Sequence, residues 1–194
     1  MKSICVLCGA NFNADPLLKK AIEELAEIMV NQNITLVYGG GKVGVMGMMA
    51  DAILSKGGKV EGVIPKFLMT EEIAHPALTK LHVVETMHAR KQLMSDLSDG
   101  FITLPGGLGT MEEFFEVLTW LQLGLHNKPV AILNVNGYYD LLLKQVDVMV
   151  EQKFLKQVNR ELILSATSAI ELVDLMSNFK IHINDNWFRD RNLI

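Results

Sequence analysis

The chain has 194 residues, of which 49% are apolar and 21% are charged, a composition that is typical of a globular domain and excludes a disordered chain. Its formal net charge of −4 provides no positive surface for nucleic acid. The apolar runs are too short to span a membrane and no signal-peptide pattern precedes the first strand, so we expect a cytoplasmic protein.

Strand-like and helix-like segments alternate along the chain. Apolar runs predict strands at residues 3–8, 34–38, 59–64, 81–85, 100–104, 130–134 and 161–164. Helical spacing predicts helices at residues 15–30, 44–55, 87–97, from the glycine turn at 105–109 to about 125, 138–152 and 168–177. Residues 65–79 break this rhythm and are predicted to form a surface excursion.

Most of the predicted strands are uniformly apolar, as expected when helices cover both faces of a parallel sheet. We therefore predict an α/β fold with a doubly wound, mainly parallel sheet of six to seven strands. Ligands bind such sheets beyond the carboxyl ends of the strands, near the point where the strand order reverses. Three strand ends that carry glycine, at Gly9, 39–41 and 106–109, are expected to meet there.

Cys5 and Cys8 have the spacing of a redox pair, but they lie in or at the end of a strand, where residues three apart point to opposite faces. Redox pairs instead open a helix, where the thiol pKa is lowered. We interpret both cysteines as small buried residues. The histidines at 75, 82 and 88 lack the spacing of metal ligands, so no metal site is predicted.

The segment Pro-Gly-Gly-Leu-Gly-Thr-Met-Glu-Glu at 105–113 joins an apolar strand to a helical pattern. A glycine-rich turn lets backbone N–H groups approach a ligand that side chains would block. The start of the helix adds unpaired N–H donors and the positive end of the helix dipole. The segment therefore predicts an anion site for phosphate, with Glu112 and Glu113 beside it.

A second glycine cluster, at 39–47, follows the second predicted strand. No acidic residue ends the next strand and no Gly-Lys-Ser/Thr follows, so the cluster is neither a dinucleotide fingerprint nor a Walker A loop. Together the two clusters outline a pocket for a mononucleotide. Arg90 precedes the neighbouring strand and is expected to lie near the 105–113 turn, where a guanidinium binds phosphate or offsets Glu113.

Each of these residues also has a purely structural explanation. Thr110 and Glu113 fit a capping box, in which Thr110 caps the helix and Glu113 bonds back to the cap N–H. Arg90 and Lys91 fit an ordinary solvated helix face. The glycines at 106, 107 and 109 are more than a tight turn requires, which favours the ligand site.

Three motifs in fixed order resemble the LOG family of cytokinin riboside 5′-monophosphate phosphoribohydrolases, which are often labelled lysine decarboxylases. They are YGGGKVGVMG at 38–47, ETMHARK at 85–91 and PGGLGTMEE at 105–113, and the likeness runs from Cys5 to about Leu164, including the EIAHP motif at 72–76. The resemblance implies a Rossmann-like nucleotide-binding catalytic domain over residues 1–181, followed by a tail at 182–194. It also implies a homodimer or larger homo-oligomer. The implied reaction needs no metal or cofactor, and the charge and apolar pattern of the chain lead us to expect neither nucleic acid nor a membrane as a partner.

The activity implied by the resemblance is hydrolysis of a nucleoside 5′-monophosphate to free base and ribose 5-phosphate, with Arg90 and Glu113 as the catalytic pair. The motifs also imply the residues that bind substrate and phosphate, which are Gly9, Gly40, Gly41, Gly44, Met87, Lys91, Gly106, Gly107, Leu108, Gly109 and Thr110. The chain departs from the family at Ala10, where relatives commonly carry a hydroxyl, and Asn11 is the candidate substitute. Met46, Met87 and His88 are candidates for the rim of a base pocket.

Two other functions remain open at this stage. A non-hydrolytic carrier of nucleotide or molybdenum cofactor would use the same glycines, but it needs no carboxylate beside a phosphate. A pyridoxal-phosphate decarboxylase would need a Schiff-base lysine, for which Lys42 and Lys91 are the candidates. The pairing of phosphate with carboxylate favours the hydrolase, because breaking an N-glycosidic bond builds positive charge on the ribose.

Overall fold

The computed structural model describes residues 1–11, 15–69 and 74–181. The predicted tail at 182–194 and the first two residues of the 72–76 motif lie outside this part of the chain. The strands within it are β1 (Ser3–Leu7), β2 (Thr35–Tyr38), β3 (Val60–Pro65), β4 (Lys80–Val84), β5 (Phe101–Thr103), β6 (Val130–Leu133) and β7 (Ile163–Ala166).

Helices separate most successive strands, as the sequence predicts; between β3 and β4 the only helical turn among the described residues is the 3₁₀ turn Lys66–Leu68, and two α-helices lie between β6 and β7. The helices are α1 (Pro16–Asn31), α2 (Gly44–Ser55), α3 (Met87–Asp96), α4 (Leu108–Gln122), α5 (Asp140–Glu151), α6 (Gln157–Arg160) and α7 (Ala169–Ser177). In the described ranges, none of the helices has the length and apolar character that crossing a membrane requires.

The strands form one sheet in the order β4-β3-β2-β1-β5-β6-β7, and every neighbouring pair is parallel. This confirms the predicted doubly wound, Rossmann-like fold. The order reverses between β1 and β5, where Leu7 pairs with Thr103. The carboxyl ends of β1 and β5 therefore lie side by side, and the segments that leave them diverge to make a crevice.

Two apolar clusters cover the two faces of the sheet. Leu25 of α1, Met49 of α2 and Leu172 of α7 are fully buried in one cluster, and Phe114 of α4 is fully buried in the other, together with Met94 of α3. Burying side chains of this size is worth about 1.5–3 kcal/mol each relative to exposure, so both faces contribute to the free energy of folding.

Cys5 and Cys8 lie in opposite clusters, as the alternation of a strand requires. Both are free and buried, and burial raises the pKa of both thiols far above the ordinary cysteine value. The interpretation of these residues as small core side chains is confirmed.

The helix ends follow local chemistry. Asp15 caps α1 by accepting the Leu17 N–H at 2.8 Å, with Pro16 in the first turn, as predicted. The helix predicted from 138 begins at Asp140 instead, because residues 135–137 form a 3₁₀ turn that holds Asn136 and Gly137 in the left-handed region. The last strand begins at 163 rather than 161 because α6 ends at Arg160 and the chain turns at 161–162 before entering the strand.

Candidate active site

A cavity of about 570 Å³ opens at the switch point between β1 and β5. Its wall includes the segment after β1 (Cys8 to Asn11), the glycine turn after β5 (Pro105 to Gly107) and the first turn of α4. Sites for small molecules commonly have volumes of roughly 300–1,000 Å³. The cavity therefore has the size and place expected of a mononucleotide site.

The segments after β1 and β5 approach closely because both carry glycine. Gly9 N–H donates to the Pro105 carbonyl at 3.3 Å, and a Cβ on Gly9 would lie 3.2 Å from the Gly106 Cα. A Cβ on Gly106 would lie 2.1 Å from Thr110 Oγ1 and 2.8 Å from Gly9 N. Side chains at either position would separate the two walls of the cavity.

The start of α4 presents free backbone donors at the cavity. Gly107 occupies the N-cap position without a side-chain cap, and the Met111 N–H makes the first helical bond, to the Gly107 carbonyl at 3.1 Å. The N–H groups of Leu108, Gly109 and Thr110 therefore precede the helical hydrogen bonds, and all three residues line the cavity. This is the arrangement that binds anions at helix N-termini.

The capping-box interpretation of Thr110 is wrong. Thr110 lies inside α4 and is buried against Gly106, because the helix begins earlier than the capping pattern requires. Glu113 does not bond back to a cap either; its carboxylate accepts from Arg90.

Arg90 and Glu113 form a nearly buried ion pair at the cavity wall. Arg90 Nη1 donates to Glu113 Oε1 at 2.8 Å, and the two side chains are 10% and 13% exposed. Arg90 Nε donates to the Val63 carbonyl at 3.1 Å, which fixes the guanidinium between β3 and α4. The interpretation of Arg90 as part of a solvated helix face is therefore wrong.

Gly39 makes the room that Arg90 occupies. A Cβ built on Gly39 would lie 2.0 Å from Arg90 Nη2 and 3.2 Å from its Cζ. Gly39 lines the cavity, and its backbone is not in the left-handed region, so the requirement for glycine at this position is one of space.

The environment of Glu113 perturbs its titration. Burial raises the pKa of the carboxyl above the ordinary glutamate value; Arg90 acts in the opposite direction without cancelling the effect. A raised pKa brings a carboxylate closer to the range in which it exchanges protons during a reaction at neutral pH.

Lys91 forms ion pairs with Glu112 and Glu116 rather than with Glu113. Lys91 Nζ donates to Glu112 Oε1 at 2.6 Å and to Glu116 Oε1 at 2.9 Å. Burial alone would lower the pKa of Lys91, but the two glutamates outweigh it and raise the pKa above the usual lysine value. A lysine held protonated in this way is poorly suited to forming a Schiff base.

The structure brings most of the predicted site residues together and leaves some apart. The cavity wall contains Arg90, Glu113, Gly9, Gly106, Gly107, Leu108, Gly109 and Thr110 from the predicted set, together with Ala10, Asn11 and Met46. The wall residues do not include Gly40, Gly41, Gly44, Met87, His88, Lys42 or Lys91.

Three of the separated glycines shape neighbouring backbone. Gly40 has a φ of +76° and packs against Ile64, and Gly41 forms an isolated bridge with Ala74. Gly44 has a φ of +62°, and a Cβ there would collide with the Ala10 backbone at 2.3 Å. Gly44 therefore supports the cavity segment after β1 from behind.

The wall also contains residues that were not among the predicted site residues, including Tyr138, Leu68 and Met94, and Gly39 was predicted only as part of the strand end at 39–41. Gly39 belongs to the recognised glycine cluster, and the choice among its three consecutive glycines depends on which one faces Arg90. Tyr138 follows β6, the strand next to β5, so a search of residues just beyond every strand end near the switch point would have found it.

Comparison with known proteins agrees with this geometry. A family model described as "Possible lysine decarboxylase" matches residues 46–176. The cytokinin riboside 5′-monophosphate phosphoribohydrolase LOG1 of Arabidopsis thaliana is 47% identical over 178 residues, covering 92% of this chain and 84% of the relative. LOG5 of the same plant, with the same enzyme name, is 43% identical over 184 residues, covering 95% and 80%.

Solved structures share the fold at low sequence identity. The molybdenum cofactor binding protein of Rippkaea orientalis superposes with a TM-score of 0.68 at 22% identity, covering 91% of this chain and 96% of that one. The Moco carrier protein of Chlamydomonas reinhardtii gives a TM-score of 0.63 at 20% identity, covering 87% and 90%. At this identity the likeness shows the architecture alone. The family follows from the sequence matches: this chain belongs to the LOG family of cytokinin riboside 5′-monophosphate phosphoribohydrolases.

Proposed function

We propose that this protein hydrolyses the N-glycosidic bond of a nucleoside 5′-monophosphate, releasing the free base and ribose 5-phosphate. The observation that carries the proposal is the buried Arg90–Glu113 pair beside the open N-terminus of α4. A phosphate carrier has no use for a carboxylate at that place, whereas bond cleavage at the adjacent sugar does.

The backbone donors at the start of α4 are proposed to hold the 5′-phosphate. Arg90 is the one formally cationic residue among the described residues of the cavity wall, and Glu113 neutralises it. The phosphate must therefore be held mainly by N–H groups, those of Gly107, Gly109 and Thr110 above all. Binding energy from this remote group positions the ribose for reaction.

Glu113 is proposed to act at the anomeric carbon. As the C1′–N bond breaks, its electron pair leaves with the base and positive charge develops on the ribose ring. The Glu113 carboxylate stabilises that charge and accepts a proton from the water whose oxygen bonds to C1′; that proton is then passed to the departing base, which restores the carboxylate. Arg90 keeps Glu113 oriented through their 2.8 Å bond.

The preferred base is proposed to be adenine with or without a prenyl group, as in isopentenyl-AMP and AMP. Val45, Met46 and Leu68 give one part of the cavity wall an apolar character that suits a base carrying an alkyl substituent. The names of the plant relatives, which act on cytokinin riboside 5′-monophosphate, support the same substrate class.

We further propose that residues 1–181 form one catalytic domain and that the protein works in the cytoplasm as a homodimer or larger assembly. The free thiols of Cys5 and Cys8 are consistent with a reducing compartment. The proposal of assembly rests on the resemblance of the three motifs to the LOG family. Light scattering of the purified protein measures its mass directly.

The test of the activity is chromatographic. Pure protein is incubated with AMP, isopentenyl-AMP and the corresponding nucleosides, and free base and ribose 5-phosphate are quantified. We expect release from the monophosphates alone. Glu113→Gln should bind AMP without releasing base, whereas Glu112→Gln, one residue away and paired with Lys91 outside the cavity, should retain turnover.

Two results would overturn the proposal. Undiminished turnover by Glu113→Gln would remove Glu113 from the reaction. Tight nucleotide binding by the wild-type protein without release of base from any monophosphate would favour the carrier function that the molybdenum cofactor proteins of this fold have by name.

A further inference from the structure

Three consecutive carbonyls of the turn after β5 each accept a hydrogen bond from outside the turn. Tyr139 Oη donates to the Leu104 carbonyl at 2.8 Å, Gly9 N–H to the Pro105 carbonyl at 3.3 Å, and Tyr138 Oη to the Gly106 carbonyl at 2.8 Å. Two neighbouring tyrosines thus hold alternate carbonyls of the same turn.

The tyrosines are themselves fixed from the end of β6. Buried Asn134 accepts the Tyr139 N–H at 2.8 Å and donates to the Asp140 carboxylate at 2.7 Å, which ties the second tyrosine and the residue after it to the end of β6. The two rings meet edge to face at 90°, with centroids 4.9 Å apart. Tyr139 is buried, whereas Tyr138 is 52% exposed and lines the cavity.

The peptide between Gly106 and Gly107 is the weak point of the anion site. Glycine on both sides gives this peptide more freedom to rotate than any other pair of residues would. All described peptide bonds are trans, so the N–H of Gly107 points opposite to the carbonyl of Gly106. Rotation of this peptide would replace a donor by an acceptor and turn an oxygen toward the bound anion.

We propose that Tyr138 is a positioning residue for the phosphate: its hydroxyl holds the Gly106 carbonyl and thereby keeps the Gly107 N–H available as a donor. The inference rests on the proposed function, because it assigns the 5′-phosphate of the substrate to this turn. Tyr138 acts through the backbone, and its effect is to prepare the turn before the ligand arrives.

The 5′-phosphate is remote from the bond that breaks, so its contacts are the same in the substrate and in the transition state. A contact made equally to substrate and transition state changes KM and leaves kcat near the wild-type value. Removing the Tyr138 hydroxyl should therefore raise the Kd for ribose 5-phosphate by about two- to tenfold, the range set by one net hydrogen bond. KM for the nucleotide should rise by a similar factor.

The test compares Tyr138→Phe with Tyr139→Phe and the wild type. Ribose 5-phosphate and adenosine are titrated by calorimetry, and Tm is measured for each protein. Tyr138→Phe should weaken the binding of ribose 5-phosphate but not that of adenosine. Its Tm should stay at the wild-type value, because half of Tyr138 is exposed to solvent. Tyr139→Phe should lower Tm, because it leaves the buried Leu104 carbonyl without its donor.

Each contrary result has a defined meaning. Unchanged binding of ribose 5-phosphate by Tyr138→Phe overturns the inference. An equal loss for adenosine, or a fall in Tm like that of Tyr139→Phe, shows a structural role and also overturns it. A wild-type protein that binds no ribose 5-phosphate refutes the anion site itself. Failure of the proposed function is separate: the wild type then binds ribose 5-phosphate but releases no base.

Discussion

Gly39→Ala should inactivate the enzyme through Arg90 while leaving the fold in place. The added Cβ would lie 2.0 Å from Arg90 Nη2, so the guanidinium must retreat by about 1.4 Å to reach the 3.4 Å of ordinary contact. The Gly39 backbone itself accepts alanine without strain, since its φ is not positive. The conflict is therefore with the ends of two flexible side chains: severe with Arg90, and slight with Met46, whose Sδ would lie 3.2 Å from the new Cβ.

The consequence for catalysis is large because Arg90 is held on two sides. A displacement of this size breaks or bends its bonds to Val63 and Glu113, which are charge-assisted and worth about 1.5–3 kcal/mol each. Misplacement of a catalytic group by about 1 Å can cost on the order of 100-fold in rate. We expect kcat for base release to fall by roughly that factor.

The assay is release of base from AMP at saturating substrate, with the midpoint of urea unfolding measured in parallel. Gly100→Ala is the matched control, because its Cβ would also crowd a flexible side chain, Met176 Cε at 2.9 Å, at the opposite end of β5. Gly100→Ala should lose stability like Gly39→Ala, with kcat unchanged.

A double mutant provides the refutation. If Gly39 acts through Arg90, adding Gly39→Ala to Arg90→Ala should cost little further activity, because the residue it displaces is already absent. If Gly39→Ala lowers kcat by the same factor in the wild type and in Arg90→Ala, Gly39 acts by another route than Arg90.

Four further predictions concern charge and space at the site. Because burial raises the pKa of Glu113, kcat/KM should fall as pH drops through a value above that of an ordinary glutamate; a profile whose acid limb lies at the ordinary value would contradict this. The raised pKa means that the folded chain binds the Glu113 proton more tightly than the unfolded chain does. The free energy of unfolding should therefore fall as pH rises from the ordinary glutamate pKa through the raised pKa of Glu113. Denaturation curves of Glu113→Gln should lack this pH dependence. Lys91→Met leaves two glutamates unpaired and should lower the free energy of unfolding by about 1–3 kcal/mol, against less than about 0.5 for Lys20→Met in an exposed pair; equal losses would refute the argument. Gly107→Ala adds a Cβ that meets no protein atom within 4 Å, so Tm should stay at the wild-type value. The open space that the Cβ enters is the one proposed for the phosphate, so calorimetry should show loss of ribose 5-phosphate binding. Retained binding would place the phosphate elsewhere.

The convergence of the site could be predicted from the sequence because it follows from topology. Alternating strands and helices imply a parallel sheet, and the carboxyl ends of its strands share one edge. Gly9, Gly106 and Glu113 therefore had to lie near one another once the elements were assigned. Arg90 followed, since it lies in the first turn of α3, the helix that leads into β5.

What could not be predicted depends on orientation across the fold. Which of the glycines at 39–41 faces Arg90 is decided by the direction in which β2 ends, and local sequence carries no signal for that. The Thr110 capping pattern was misleading because it occurs inside a helix whose true N-cap is Gly107, a residue that keeps the first N–H groups free. The place of Tyr138 near the switch point follows from its position after β6, but its bond to Gly106, 32 positions away, could not be predicted, because it depends on the orientation of the side chain once β5 and β6 are adjacent.

The Arg90–Glu113 ion pair at the cavity also bears on the order in which the chain folds. Arg90 lies on the crossover that carries the chain from the β4 edge to β5. It bonds to Val63 of β3 in one half of the fold and to Glu113 of α4, the helix after β5, in the other. Neither half contains the site alone, and closing this crossover requires contacts between distant segments, which form late when loop entropy is large. Recovery of turnover during refolding would thus report the joining of the two halves. We expect it to follow the recovery of helix content measured by circular dichroism.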